Sequence, residues 1–519
     1  MNRFYSKTMH ERQRSLEFPK NFDTLYDTRE GNFYLKNYIG GKWDFYSDES
    51  MNIVNPFDGT TVGFVPELTS RGVELAIESA WANRESIRSV PGIERIELFK
   101  TAAQIVRSHE AVLVNSLILE AGKPVHNAQA EVRATINRMN LAAEEARKIF
   151  GEYIPGDWSE DTMQKVAIVL REPVGVVLAI SPFNYPLFIT SAKVIPAVLA
   201  GNSVVVKLPS ADPITFLLFT RMLEDAGLPP GSLNVITTSG KTLDARIDDP
   251  RIGAISFTGS TSVGKRIAQR AGMKQHLHLE LGGKGAAIVL PSADLDLAAK
   301  KVVHGALNFS GQRCDAISRV IVLNEIADVF VSKIMDEVKA VKYGDPWSEE
   351  TLVGPLIDAA AVAHVHNLVH DAVGKGAQLL LGGRSEGNVY LPTVLDHVPK
   401  DAEILQEETF GPVVTINRVN DMDAAIEVAN NTNYGLDSCV FTTNFYDAWR
   451  VAKSLKDGEI TINDAPSHGV GFFPFGGTGD SGTGREGIGY SIEEMTRLKT
   501  VVFNLAPAKL GKKRKIFTI

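Results

Sequence analysis

The run Gly311-Gln312-Arg313-Cys314 follows Leu279-Glu280-Leu281-Gly282-Gly283 in a chain of 519 residues that holds only 2 cysteines. A cysteine so framed is a poor candidate for a disulfide and a good one for covalent chemistry. The upstream carboxylate offers a base for the thiol or for a water. Cys314 as nucleophile and Glu280 as general base would together support catalysis through a thioester. Taken singly, Cys314 also reads as a small buried apolar residue and Glu280 as a solvated helix residue. Both in glycine-rich frames favour the catalytic reading.

Other motifs offer the groups such chemistry needs. Ser181-Pro182-Phe183-Asn184-Tyr185-Pro186 breaks an apolar strand ending at Ile180, and its two prolines fix the backbone around Asn184. The Asn184 amide with the Cys314 backbone N–H would form an oxyanion hole; alone, Asn184 reads as a turn residue. Lys207 ends Val204-Val205-Val206, where an ammonium meets ligand oxygens or simply leaves the sheet for water. Phe257-Thr258-Gly259-Ser260 closes a strand and opens a helix expected over 260–265, whose amides and Ser260 hydroxyl suit a pyrophosphate. It is not the usual Gly-x-Gly-x-x-Gly fingerprint. In Glu407-Glu408-Thr409-Phe410-Gly411-Pro412, a carboxylate suits ribose hydroxyls and a phenyl ring suits a nicotinamide, or the segment is a solvated acidic loop.

The elements that must carry these groups follow from apolar spacing. Helical periodicity covers 73–82, 93–109 and the long stretch 127–150. Turn residues 151–157 and the strand-like run 165–170 form a β excursion of the kind that reaches toward another subunit. From Val174, short buried-strand runs (174–180, 203–207, 234–237, 254–258) alternate with helices, the signature of a parallel sheet with crossover helices. A second α/β series runs from about 286 to 464, with strands at 320–323, 413–418, 438–442 and 459–463. The length implies two or three domains. The first thirty residues read as weakly structured or as arms on a neighbour. With 44% hydrophobic and 22% charged residues and a net charge of -8, the chain reads as soluble and nucleic acid is not its expected partner. The basic cluster 512–515 reads as solvated surface. No apolar run has signal-peptide or membrane-span length, and cysteines are few, which points to the cytoplasm.

In order and spacing these motifs resemble the aldehyde dehydrogenase superfamily, from about Tyr38 to Phe503. The matching segments include Phe183-Asn184, Lys207, Phe257-Thr258-Gly259-Ser260, Glu280-Leu281-Gly282-Gly283, Gly311-Gln312-Arg313-Cys314, Glu408-x-Phe410-Gly411-Pro412 and Arg485-Glu486-Gly487. The resemblance implies an α/β fold with two parallel-sheet domains and a β oligomerisation flap. The implied division is an N-terminal extension (1–30), an NAD(P)-binding domain (31–155 and 175–290), a catalytic domain (291–490) and the flap (156–174 and 491–519). It implies a homo-oligomer, with a tetramer expected, and no metal. For the cofactor it implies Ile180, Ser181, Pro182, Phe183, Lys207, Ser210, Gly240, Phe257, Gly259, Ser260, Val263, Leu281, Glu408 and Phe410.

Within the superfamily, Gly151 to Trp158, Pro182 to Leu187 and Gly311 to Ile317 look like the archaeal non-phosphorylating glyceraldehyde-3-phosphate dehydrogenases. The resemblance implies that Tyr185, Arg313, Asp315 and His468 surround the substrate. Asp315 is an acid where a phosphorylated substrate must approach, and Arg133 and Arg138 are candidates for holding its phosphate. Neutral hydroxyaldehydes (glyceraldehyde, glycolaldehyde, lactaldehyde) are the alternative substrates, and a non-catalytic binding protein is a remote one. NADP is expected to be preferred to NAD. Ser210 stands where NAD-preferring relatives often carry a glutamate, and Lys207 is a nearby cation for a 2′-phosphate.

Overall fold

Val176–Ile180, Ser203–Lys207, Leu233–Ile236 and Ala254–Thr258 are buried along their whole length, as continuous apolar strands must be when both sheet faces are covered. The computed structural model describes residues 15–273, 275–469 and 471–505. It sets these strands parallel, with His276–Glu280 alongside Ala254–Thr258. Antiparallel strands complete the 8-stranded sheet: Asn37–Ile39 and Lys42–Asp44 at one edge, Gly482–Thr483 at the other. A 7-stranded sheet follows, in the order Gln378–Leu381, Thr393–Asp396, Val413–Val419, Arg319–Leu323, Ala286–Val289, Asp437–Phe441, Glu459–Ile462, parallel except for its first strand. Separate apolar cores lie on the faces of each sheet.

The segment just before Val176 and the segment after Thr483 meet in a 3-stranded antiparallel sheet of Glu152–Pro155, Lys165–Pro173 and Thr496–Asn504. Tyr153, Trp158, Leu170, Leu498 and Val502 are exposed on or beside it.

Two expectations need correcting. The apolar period over 127–150 is not one helix. Val125–Asn140 stops at Leu141, and a short helix Ala142–Ala146 and a 3-10 turn Arg147–Ile149 follow. A buried ion pair between Arg138 and Glu145, at 3.0 Å, spans the break. Nor are residues 15–30 uniformly weak in structure; residues 1–14, on which the rest of that expectation falls, lie outside the described residues. Lys20–Leu25 forms a 3-10 turn with Phe22 and Leu25 buried, and Tyr26–Arg29 pairs with Asn32–Leu35. The basic cluster 512–515 lies outside the described residues.

Candidate active site

Four parallel strands end at residues singled out in the sequence: Ile180, Lys207, Thr258 and Glu280. Carboxyl ends of parallel strands are where open α/β sheets present their chemistry. Glu280 is buried there and Thr258 Oγ1 donates to its Oε2 at 3.0 Å. The Cys314 thiol donates toward Glu280 Oε1 at 3.8 Å, within the range for sulfur. Burial raises the Glu280 carboxyl to about 7, helped by the charge of Glu486. Burial, then the Glu280 charge, also raises the thiol well above its ordinary value. The resting thiol therefore keeps its proton, and a nucleophilic role would require a base to take it.

The turn before Cys314 is backbone-specific. Phe309, Ser310 and Gly311 all have positive φ (50°, 57° and 68°), a sequence that L side chains resist. A Cβ on Gly311 would lie 2.3 Å from the Gly411 carbonyl oxygen. Glycine thus lets the turn before Cys314 pass against the loop 408–412. Gly283 plays the same part, since its Cβ would lie 2.5 Å from the Cys314 carbonyl oxygen.

A cavity of about 380 Å³ receives Tyr185, Glu280, Arg313, Cys314, Asp315 and His468, six of the residues named from sequence. Arg313 Nε sits 3.1 Å from Asp315 Oδ1, so the acid beside Cys314 partly occupies the arginine fork. Arg133 lines the cavity as well, with its Nε 3.3 Å from Glu110 Oε1. Arg138 does not; it is spent on Glu145 inside the helical layer. Asn184 is buried beside Tyr185.

A second cavity is walled by Ile180, Ser181, Lys207, Gly240, Phe257, Gly259, Ser260 and Val263. Ser260 precedes the Thr261–Arg270 helix, one residue later than the expected start. A largely buried ammonium, a helix start and the apolar walls of Leu243, Ile247 and Val263 fit an adenine nucleotide with phosphates. Burial lowers Lys207 to about 8, with Asp212 opposing the shift. Ser210 is exposed just past this strand and is not in the cavity wall. Pro182, Phe183, Leu281, Glu408 and Phe410 also lie outside that wall. Phe183 and Phe410 meet edge to face at 5.7 Å, and Glu408 Oε1 accepts the Gly283 N–H at 3.2 Å.

Sequence reasoning missed a buried charged set behind Glu280. Lys193 Nζ lies 3.8 Å from Glu486 Oε1, and His468 Nε2 lies 3.6 Å from Glu486 Oε2. Burial opposes the ionised Glu486, but Lys193 and His468 outweigh it and hold the carboxylate well below its usual range. Burial likewise opposes a charged His468, and Glu486 outweighs it. Glu486 was visible in the Arg485-Glu486-Gly487 motif. Lys193, alone in the apolar helix Phe188–Leu199, carried no pattern that marks it. Leu243, Asp244, Ile247, Arg266 and Ile267 of the second cavity were also unmarked.

Residues 43–501 match the profile described as Aldehyde dehydrogenase family. The chain is 41% identical to the NADP-dependent glyceraldehyde-3-phosphate dehydrogenase of Streptococcus equinus, over 91% of this chain and 99% of that protein. It is 34% identical to the lactaldehyde dehydrogenase of Methanococcus aeolicus, over 90% and 99% respectively. Its fold is similar to the crystal structure of NADP-dependent glyceraldehyde-3-phosphate dehydrogenase from Bacillus halodurans C-125 complexed with NADP. There the TM-score is 0.89 at 37% identity, covering 92% of this chain and 100% of that one.

Proposed function

Since the chain belongs to the aldehyde dehydrogenase family, we propose that it oxidises glyceraldehyde 3-phosphate to 3-phosphoglycerate, preferring NADP to NAD. The observation that carries this reading is a single cavity holding the Cys314 thiol, the Glu280 carboxylate, Tyr185 and two arginines, Arg133 and Arg313. Thiol and base serve the oxidation, and the arginines suit a phosphate. The similarity to NADP-dependent glyceraldehyde-3-phosphate dehydrogenases supports both substrate and cofactor.

Bound NADP supplies the hydride acceptor. Lys207 and the Gly259–Ser260 turn would hold its adenosine half, with Ser210 at the exposed end past the strand, and Glu408 and Phe410 would serve the nicotinamide half. Cys314 Sγ attacks the aldehyde carbon as its proton passes to Glu280. The Asn184 amide and the Cys314 N–H donate to the resulting oxyanion, each worth about 3 to 4 kcal/mol. Loss of hydride leaves an acyl thioester on Cys314. Glu280 gives the thiol proton up to solvent and, with its carboxyl raised to about 7, is then poised near neutrality to take a proton from water, which it passes to the departing Cys314 sulfur. The water oxygen attacks the acyl carbon, the thiolate leaves, and a free carboxylate departs. Hydrolysis makes the oxidation effectively irreversible.

Asp315 favours a second reading, oxidation of neutral hydroxyaldehydes, because its pairing with Arg313 reduces the charge a phosphate would meet. The ratio of kcat/KM for glyceraldehyde 3-phosphate to that for glyceraldehyde separates the two. A ratio well above one supports the phosphorylated substrate, and a ratio below one supports the neutral one.

Assembly with further copies of the chain, as a tetramer, is supported by the exposed Tyr153, Leu498 and Val502 of the 3-stranded sheet. Placement in the cytoplasm is supported by the two free cysteines, one of them the proposed nucleophile, which a reducing compartment protects. No helix among the described residues is long and apolar enough to cross a membrane.

A further inference from the structure

A buried lysine bridges the two segments that carry the proposed oxyanion donors. Lys123 stands between Gly122, which caps the Glu110–Ala121 helix, and Pro124, and it has no solvent exposure. Its Nζ donates to the Asn184 main-chain carbonyl at 2.6 Å and to Glu131 Oε2. The same nitrogen lies 4.0 Å from the ring centre of Tyr185 and 4.4 Å from that of Phe309.

Tyr185 is the neighbour of Asn184, and Phe309 begins the left-handed turn that leads through Gly311 to Cys314. The two rings meet edge to face at 5.9 Å. Glu131 completes the clamp, because its Oε1 accepts the Leu187 and Phe188 N–H groups at 2.9 and 3.0 Å. One ion pair thereby holds both ends of the 184–188 turn, and its cation also touches the aromatic that opens the nucleophile turn. A charge pair is costly to bury and needs its remaining donors and acceptors filled; here the carbonyl, the two amides and the rings fill them. The charges acting most on the Cys314 thiol are Glu280, Asp315, Asp437 and Glu408, not Lys123.

We propose that Lys123 is a positioning residue of the reaction, fixing the Asn184 amide relative to the Cys314 N–H so that both donors converge on one oxygen. The proposal rests on reading Asn184 as an oxyanion donor. It locates the effect of Lys123 in the step that forms and spends the tetrahedral intermediate, and not in thiol ionisation or cofactor binding.

The test is the double variant Lys123→Met with Glu131→Gln. It removes both buried charges together and keeps an acceptor for the Leu187 and Phe188 amides. Single-turnover hydride transfer is expected to slow by about 10- to 100-fold, less than complete loss of a donor. The NADP dissociation constant and the pH profile of Cys314 alkylation by iodoacetamide are expected to stay unchanged. Added to Asn184→Ala, the double variant is expected to slow transfer by no more than about 3-fold, because the two act on one donor. Phe309→Leu, which leaves no unpaired buried charge, is expected to reproduce the slowing in smaller degree and serves if the double variant does not fold. Unchanged hydride transfer in both variants, a shifted alkylation profile, or full multiplicative loss on top of Asn184→Ala would overturn the proposal. If Asn184→Ala itself leaves hydride transfer at its native rate, the oxyanion reading fails and this inference fails with it.

Discussion

The Cys314 thiol faces the Glu280 carboxylate at 3.8 Å, and Thr258 anchors the far oxygen of that carboxylate at 3.0 Å. Glu280 is buried and Cys314 half-buried, and both groups are raised, so neither ionises freely. Cys314→Ser is expected to lower turnover by at least about 1000-fold, since a hydroxyl is a far weaker nucleophile than a thiolate. NADP binding and the melting temperature should be retained. Cys439 is no substitute, because it is buried within the Asp437–Phe441 strand. Near-native turnover in the serine variant would remove Cys314 from the chemistry.

Glu280→Gln is expected to separate the two halves of the reaction. Rapid mixing should still give one turnover of reduced cofactor, itself slowed because the thiol has lost its base, followed by steady turnover slowed further, to about 100-fold or more below native, as loss of a general base costs. In the native enzyme the base form is required, so activity should fall as pH drops through about 7. A linear progress curve at the native rate would contradict the base role.

The same substitution has a stability consequence. The folded Glu280 carboxyl titrates near 7, against an ordinary value of 4.5, so the folded chain binds this proton more tightly than the unfolded chain does. Its contribution is fully present below about 4.5 and is lost as pH rises through about 7. Glu280→Gln should therefore raise the melting temperature at pH 8 relative to native, with the gain vanishing near pH 4.5. The expected gain is on the order of 1 to 3 kcal/mol, since a tenfold change in proton affinity is worth about 1.4 kcal/mol. Equal melting temperatures across this range would show that the buried carboxylate costs the fold nothing.

The strand ends were legible in the sequence because a continuous apolar run that stops at a charged or glycine residue has few other readings. Lys207 closes a buried strand in this way; the strand that ends at Glu280, His276–Glu280, was not read as one, because two histidines interrupt its apolar run. The helix break at Leu141 was not legible, because apolar spacing continues through it and the buried Arg138–Glu145 pair that spans it is tertiary. Lys123 and Lys193 were hidden for a related reason. A lone lysine in an apolar stretch reads as a surface residue until distant carboxylates, Glu131 and Glu486, are brought to it. The pairing of Arg313 with Asp315 is local, two residues apart. What sequence lacked there was the direction each side chain takes.

On the proposed reading, Arg133, Arg313 and Asp315, which line one cavity with Cys314, read the substrate's charge. Arg133→Ala should raise KM for glyceraldehyde 3-phosphate by about 10-fold or more, the worth of a charge-assisted contact, and leave KM for glyceraldehyde within about 2-fold. Asp315→Asn should lower KM for the phosphorylated aldehyde by freeing the Arg313 fork. The pattern in KM across the two substrates is the readout, and equal shifts for both would show that these residues do not read the phosphate.

Cofactor choice is tested at the end of the Ser203–Lys207 strand. Lys207→Met should cut kcat/KM with NADP more than with NAD. Ser210→Glu should do the same by placing a carboxylate near the 2′-phosphate, whose charge is about -1.5 to -2 near neutral pH. Ser210 lies at the exposed mouth of the strand and not in the cavity wall, so its effect should be the smaller of the two. Loss of equal size with both cofactors would place neither residue near the 2′-phosphate.

The most direct test of the thioester route is the product formed from glyceraldehyde 3-phosphate and NADP in buffer free of inorganic phosphate. One 3-phosphoglycerate per reduced cofactor, at a rate that added phosphate does not change and with one oxygen from labelled water in the new carboxylate, is the expected result. A requirement for inorganic phosphate with an acyl phosphate as product, or no cofactor reduction with this aldehyde while glyceraldehyde is oxidised, would contradict it.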